Sequence, residues 1–337
     1  MKEYRLNVDP RILELLGPNL YTNIYYVLAE LIANAYDADA KNVYIISNKD
    51  DIRVEDDGHG MSYEAGDIAK YLNVAGVSRT TEAESRTKSG GRRKMGRKGV
   101  GKLAALSVSE NVDIITIANG EKSGFVLTRY PDNGHNLKAI PDEMIAFERV
   151  EDHGSAIIMR HPQYRLHKTL AAVRRNLLKI FPLVDANFRI HVIRGDETLT
   201  IEDFDRSIMG ELSSLITLGE KFAPLAGLVP DSHPGRRADL VAVREKLTKP
   251  IVMKGNDGQD HEYSLEVLGW IGTYKTTRNR KAEITDFPDN FISLFANEKM
   301  GEFNILPIVG QNKLSEVYVV GQLHVDLFEL TELPDMA

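Results

Sequence analysis

The chain contains no cysteine, which excludes disulfides and thiolate metal sites and fits a reducing cytoplasm. No apolar run approaches the ~20 residues a membrane-spanning helix requires. The start, Met1-Lys-Glu-Tyr-Arg5, lacks the apolar core of a secretion signal, so a cytoplasmic protein with no membrane partner is expected. Positive charge is in short supply: 42 Lys and Arg stand against 49 Asp and Glu, a net charge of −7. That balance argues against a surface built as a whole for nucleic acid, so any polyanion contact must be local. Internal repeats and low-complexity tracts are also missing.

What is there suits a soluble, well-buried protein. Hydrophobic residues make up 42% and charged ones 27% of 337 residues, and that length favours two domains. One stretch is locally basic: Arg86 to Lys102 holds eight Lys and Arg (86, 88, 92, 93, 94, 97, 98 and 102) and no acid. Such a run reads as a solvated loop, a phosphate-facing lid or, more weakly, a DNA contact.

Apolar residues recur at helical spacing from Tyr21 to Asp37 (Ile24, Val27, Leu28, Leu31, Ile32, Ala35), which predicts a helix. A short helix is expected at Pro10 to Leu16, a hairpin from Val43–Ser47 and Asp51–Glu55, and helices at Tyr63–Leu72 and from about Gly99 to Leu106. Strands are expected at Val112–Ile117, Gly124–Arg129 and Ser155–Arg160. Beyond Arg160 come a basic amphipathic helix at Lys168–Phe181 and a hairpin at Phe188–Ile193 and Glu197–Ile201. Gly227–Arg237 reads as a flexible insertion. Further strands are expected at Pro250–Lys254, Tyr263–Thr273, Phe291–Ala296 and Val317–Phe328.

Three short motifs follow one another in the first 105 residues. Glu30, Asn34 and Asp37 stand at i, i+4 and i+7 and so share one side of the first helix. The spacing alone also describes the wet face of an amphipathic helix. Small neighbours (Ala33, Ala38, Ala40) leave room for a ligand. Asn34 offers a neutral oxygen suited to Mg²⁺ held mainly by phosphates and water, and Glu30, one turn earlier, can orient and deprotonate a water.

The second motif is Asp56-Asp-Gly58-His-Gly60-Met61. An ionised Asp56 is acceptor-only, which suits the exocyclic amino group of adenine. Gly58 and Gly60 allow close backbone approach, and Met61 can pack on a ring. By itself the pattern also describes many hairpins and calcium loops. The third motif, Gly96-Arg-Lys98-Gly99-Val100-Gly101-Lys102, can wrap backbone amides and two lysines around phosphates at the start of a helix. It is neither the P-loop pattern nor a Rossmann fingerprint.

Taken together and in this order, the motifs resemble those of the Bergerat-fold (GHKL) ATPases: gyrase B subunits, ninety-kilodalton heat-shock chaperones, histidine kinases and MutL, with MORC proteins as close relatives. Gly154-Ser155 before a β-rich run is similar to their last box, with serine where a threonine is usual. The resemblance implies an α+β fold, with a Bergerat ATPase sandwich over residues 1–163. A transducer-like (ribosomal S5-like) α/β domain would follow over 164–337, truncated at its C-terminus.

By carry-over, Glu30 would be the general base and Asn34 the Mg²⁺ ligand. Asp37 would support the pocket, Asp56 would read adenine with Gly58, Gly60, Met61 and Ser155 around it, and Gly96, Lys98, Gly99, Val100, Gly101 and Lys102 would hold phosphates. Arg79 sits where such proteins start their lid. Lys299 and Lys313 are candidates for the transducer lysine, though surface solvation is the simpler reading of each. The cofactors implied are ATP and Mg²⁺, and the implied partners are a second copy of the chain, bound in the ATP state, and DNA. A chaperone-like ATPase and a non-hydrolysing nucleotide sensor are the alternatives.

Overall fold

The computed structural model describes residues 2–7, 23–73, 86–92, 94–95, 101–130, 136–181, 187–202, 208–231, 239–254, 258–276, 289–296, 299–310 and 314–329. The helix expected at Pro10–Leu16, Arg79, the loop residues Gly96 to Val100 and Lys313 lie outside these. The chain forms two compact units. The first comprises Met1–Arg174 and Asp185–Glu202, the second Arg175–Val184 and Asp203–Ala337.

The first unit is built on a nine-stranded sheet with the order β1-β6-β5-β4-β7-β3-β2-β8-β9. Its strands are β1 (Tyr4–Arg5), β2 (Asn42–Ser47), β3 (Asp51–Asp56), β4 (Asn111–Ala118), β5 (Glu121–Thr128), β6 (Asn136–Ala139), β7 (Gly154–Arg160), β8 (Arg189–Arg194) and β9 (Glu197–Ile201). All neighbours run antiparallel except β2 and β8.

That parallel pairing moves the boundary expected at 163/164. The hairpin of β8 and β9 extends the first sheet, aligning Asn42 with Arg189 and Ile46 with Ile193, instead of opening the second domain. The hairpin itself was legible from its apolar runs and central turn. Its partner, some 145 residues upstream in sequence, was not, because sheet partners are chosen by non-local packing.

Helix α1 (Ile24–Asp37) opens on Asn23, whose side chain accepts the Tyr25 N–H at 2.8 Å. Its stripe of Ile24, Val27, Leu28, Leu31, Ile32 and Ala35 is buried. Burying one such large aliphatic chain is worth about 1.5–3 kcal/mol, so this face fixes the helix's rotation and sends Glu30, Asn34 and Asp37 to the other side. Helix α2 (Asp67–Leu72) covers only the second half of the helix expected from Tyr63. The element starting at Gly101 is a seven-residue 3-10 helix (Gly101–Ser107) and not an α-helix, so little macrodipole is available there.

The second unit holds a seven-stranded sheet of β10 (Leu212–Leu218), β11 (Asp239–Val243), β12 (Leu247–Lys254), β13 (Asp260–Tyr274), β14 (Phe291–Ala296), β15 (Lys299–Glu302) and β16 (Val319–His324), in the order β11-β10-β13-β16-β14-β15 with β12 paired to β13. The long β13 pairs with β12 over its first half and with β10 and β16 over its second. Helix α3 (Leu170–Ile180) crosses the division of the chain at Arg174, and helix α4 (Leu306–Val309) is a single turn. The strand expected at Val317–Phe328 is shorter, flanked by 3-10 turns at Leu314–Tyr318 and Asp326–Glu329. The architecture is α+β.

Candidate functional site

The described parts of the first two motifs and the flanks of the third meet in the first unit. On α1, Asn34 is exposed while Glu30 and Asp37 are partly buried. The Asp37 carboxylate accepts the Met95 N–H at 2.7 Å. Two turns earlier on the same face, Glu30 lies against Gly101: a Cβ there would stand 2.2 Å from its Oε2. The chain therefore enters the glycine-lysine stretch pinned to Asp37 and leaves it pressed on Glu30, with Asn34 between the two anchors. Gly96, Lys98, Gly99 and Val100, together with the Lys102 side chain, lie outside the description.

Asp56 ends β3 and turns the chain: its Oδ1 accepts the Gly58 N–H at 2.9 Å. The next link runs from the turn to the end of α1, where the His59 N–H donates to Ala38 O at 3.0 Å. A Cβ on Gly58 would meet Asp56 Oδ1 at 2.7 Å and Ala38 at 2.8 Å, and one on Gly60 (φ +68°) would meet Ile117 O at 2.3 Å. These glycines are thus required by close packing of the protein on itself, a reason beyond the ligand approach expected from the motif. His59 sits inside the turn, its Nδ1 2.9 Å from Gly60 O, and burial followed by the Lys88 charge pushes its pKa down.

Asp56 is half-buried as a residue, yet burial is the largest influence on its carboxyl and pushes the pKa up to about 7. The Asp57 and Glu55 carboxylates add to the rise, and the Gly58 and Ser155 amides oppose it. Those two neighbours have structural duties. Asp57 accepts the amides of Lys41 (2.7 Å) and Asn42 (2.8 Å). Glu55 is fully buried and bonded to Arg53 Nε at 2.7 Å and to the amides of Glu148, Arg149 and Val150 at 3.0, 2.7 and 2.7 Å.

Ser155 faces Asp56 across the β3–β7 pair and Thr116 across the β4–β7 pair. Thr116 is the residue that the motifs missed. Fully buried, its Oγ1 accepts the Met61 N–H at 2.8 Å, donates to Gly154 O at 2.9 Å and lies 3.2 Å from Ser155 Oγ. One hydroxyl thus ties the second and last motifs together. The only signal for it in sequence is a threonine amid the apolar run Ile114, Ile115, Ile117.

The basic run is also only partly what its composition suggested. Arg92 sits on the end of α1: its guanidinium donates to Tyr36 O (3.3 Å) and Ala40 O (2.6 Å). Lys88 pairs with Asp67 at 3.3 Å.

Residues 21–154 match the family described as histidine kinase-, DNA gyrase B- and HSP90-like ATPase. The segment is a domain of this family. Among curated proteins, the chain is 26% identical over 342 aligned positions to a Herpetosiphon aurantiacus protein provisionally named type II restriction enzyme HgiDII. That alignment takes in 99% of this chain and 51% of the relative, so the chain spans about half of its length. It is also 31% identical over 172 positions to the chaperone protein HtpG of Halalkalibacterium halodurans, across 44% of this chain and 26% of that protein. The matched ATPase-family segment contains α1, the Asp56 turn, Thr116 and the flanks of the glycine stretch. Among the described residues no helix is long and apolar enough to cross a membrane.

Proposed function

We propose that this chain binds ATP with Mg²⁺ in the first unit and hydrolyses it, and that the nucleotide drives closure of a lid (residues 76–98) and pairing of two chains acting as a gate on DNA. The observation that carries this reading is the double anchorage on α1. Asp37 holds the amide of Met95 and Glu30 abuts Gly101, so the glycine-lysine stretch returns to the face that also bears Asn34. The donor set fits the nucleotide. Asp56 offers an acceptor for the exocyclic amino group of adenine, flanked by Met61, Gly58, Gly60 and Ser155. Among the described residues no cluster of three or more His, Asp or Glu is placed to hold a metal. Asn34 would therefore be a protein ligand of a Mg²⁺ held mostly by phosphate oxygens and water.

Glu30 would orient and deprotonate the attacking water. Gly96, Lys98, Gly99, Val100, Gly101 and Lys102 would hold the phosphates through N–H groups and lysine charge. The short 3-10 helix supplies little dipole for that task, which leaves it to the loop and the lysines. The Mg²⁺ would neutralise charge that develops on the phosphates. Closure of the lid excludes water, and binding to the paired state alone makes assembly depend on nucleotide.

The alignment with the restriction-enzyme relative over nearly the whole chain supports a DNA partner. The second unit would then play a transducer-like part. Lys299, at the start of β15, and Lys313 remain the candidates for the transducer lysine. Glu30→Gln tests the reading: ATP affinity should stay within about twofold while turnover falls by roughly 10²–10⁴. Retained turnover would remove Glu30 from its role. In the wild type, stimulation of ATPase by duplex DNA supports the gate; stimulation by unfolded protein in its place supports a chaperone.

A further inference from the structure

Residues 86–92 form a clasp over the carbonyl end of α1. The Arg92 guanidinium lies 4.4 Å from the Tyr36 ring centre and 5.5 Å from that of Phe188, and it donates to the carbonyls of Tyr36 and Ala40. Those carbonyls belong to the last turn of the helix and its exit, where a cation is favourable, and Tyr36 O also accepts the Asp39 N–H at 3.1 Å. The backbone of the clasp closes on itself: the Thr87 N–H donates to Arg92 O at 3.0 Å and the Gly90 N–H to Thr87 O at 2.9 Å. A second fastening is Asp39, in the left-handed region (φ 61°), whose carboxylate accepts the Ser89 N–H at 2.9 Å and the Ser89 hydroxyl at 2.6 Å. Thr87 and Met95 are buried at 4% and 2% exposure, so the segment is packed down at these two points, with Lys88 to Gly91 exposed between them.

We infer that Arg92 is a positioning residue: seated on the end of α1 and helped by the Ser89–Asp39 bonds, it fixes where the glycine-lysine stretch begins and so sets the grip on the phosphates. The inference rests on the ATP reading above. The chain has only two residues between Arg92 and Met95, whose amide meets Asp37. Releasing Arg92 frees that approach without touching Asp56, Thr116 or Ser155. The base-reading half of the site should then survive while the phosphate-holding half loosens.

Two titrations distinguish this from general loosening. ATP affinity is measured directly, and adenosine, which has no phosphate, by displacement of a fluorescent ATP analogue. Arg92→Ala should weaken ATP at least tenfold and leave adenosine within about twofold. Arg92→Lys should restore ATP affinity in part, because both carbonyls are reached from one nitrogen, Nη1, and an ammonium can donate to two acceptors, while it lacks the planar contact of the guanidinium with the Tyr36 ring. Asp39→Asn keeps a side chain that tolerates positive φ while removing the charge that holds Ser89, and it should weaken ATP about threefold with adenosine unchanged. It carries the same test if Arg92→Ala does not fold. Equal weakening of both ligands, or of neither, overturns the inference while leaving the ATP site intact. A wild-type protein that binds neither ligand overturns the proposed function itself, and the inference with it.

Discussion

Glu55 in the first unit and Gln322 in the second are both fully buried in a sheet, and they are accommodated in opposite ways. Glu55 has Arg53 and three backbone amides around its carboxylate. Gln322 stands in a row with Thr217, Trp270 and Ser293, aligned across β10, β13, β16 and β14 and therefore on one face of the sheet. Ser293 donates to Phe303 O at 2.8 Å. Among the described residues, Thr217 Oγ1, Trp270 Nε1 and both amide atoms of Gln322 have no hydrogen-bond partner. The comparison teaches where polarity specifies geometry. Around the candidate site, buried polar groups hold loops and turns at set places, whereas in the second sheet the row is a burden on stability.

The largest expected effect is on Glu55. Glu55→Ala should lower stability in urea unfolding by about 3–5 kcal/mol, because it leaves Arg53 Nε and three backbone amides without their acceptor, although Arg53 keeps Ala146 O and Glu148. A loss below about 1 kcal/mol would erase the contrast.

Asp56 sharpens it through pH. Its folded-state pKa is about 7 against the ordinary 3.8, so the folded chain holds that proton more tightly than the unfolded one. This group's contribution to stability is thus fully present at low pH and is lost as pH rises from about 4 to about 7. Asp56→Asn, neutral throughout, should gain on the unliganded wild type by roughly 1–3 kcal/mol between pH 5 and pH 8, read by thermal melts across that range. A gain that is flat with pH would show that the carboxyl is not strained by burial.

The smallest effects break the comparison most directly. Thr116→Val, which takes the acceptor from the Met61 N–H and a donor from Gly154 O, should cost about 1–3 kcal/mol. Gln322→Met, which replaces unpaired amide atoms by a thioether of similar length, should gain up to about 1 kcal/mol. If both changes have the same sign in chemical denaturation, the two sheets do not differ as described.

What the sequence revealed and what it hid follow one physical line. The face of α1 was readable because the 3.6-residue period of Ile24 to Ala35 fixes which side is buried, and the hairpins because their turns are local. The Asp56 turn was readable because an aspartate followed by spaced glycines marks a chain reversal at the end of a strand. The union of β8 and β9 with the first sheet, the presence of β10 and β11, and the 3-10 form of Gly101–Ser107 depend on partners distant in sequence. The same holds for Thr116 and Arg92: their roles are bonds to backbone groups, which no spacing rule encodes. Arg92 in particular was hidden by its company, since in a run of eight basic residues nothing local marks the one that caps a helix.

The central claim is that the α1 face, the Asp56 turn and the glycine-lysine stretch hold a single nucleotide. Calorimetric titration of ATP with Mg²⁺ at pH 8, where Asp56 is ionised, tests it most directly. The account predicts one site per chain in the wild type and at least a tenfold loss of affinity in Asp56→Asn. No heat from folded wild-type protein, or equal affinity in the two proteins, would contradict it.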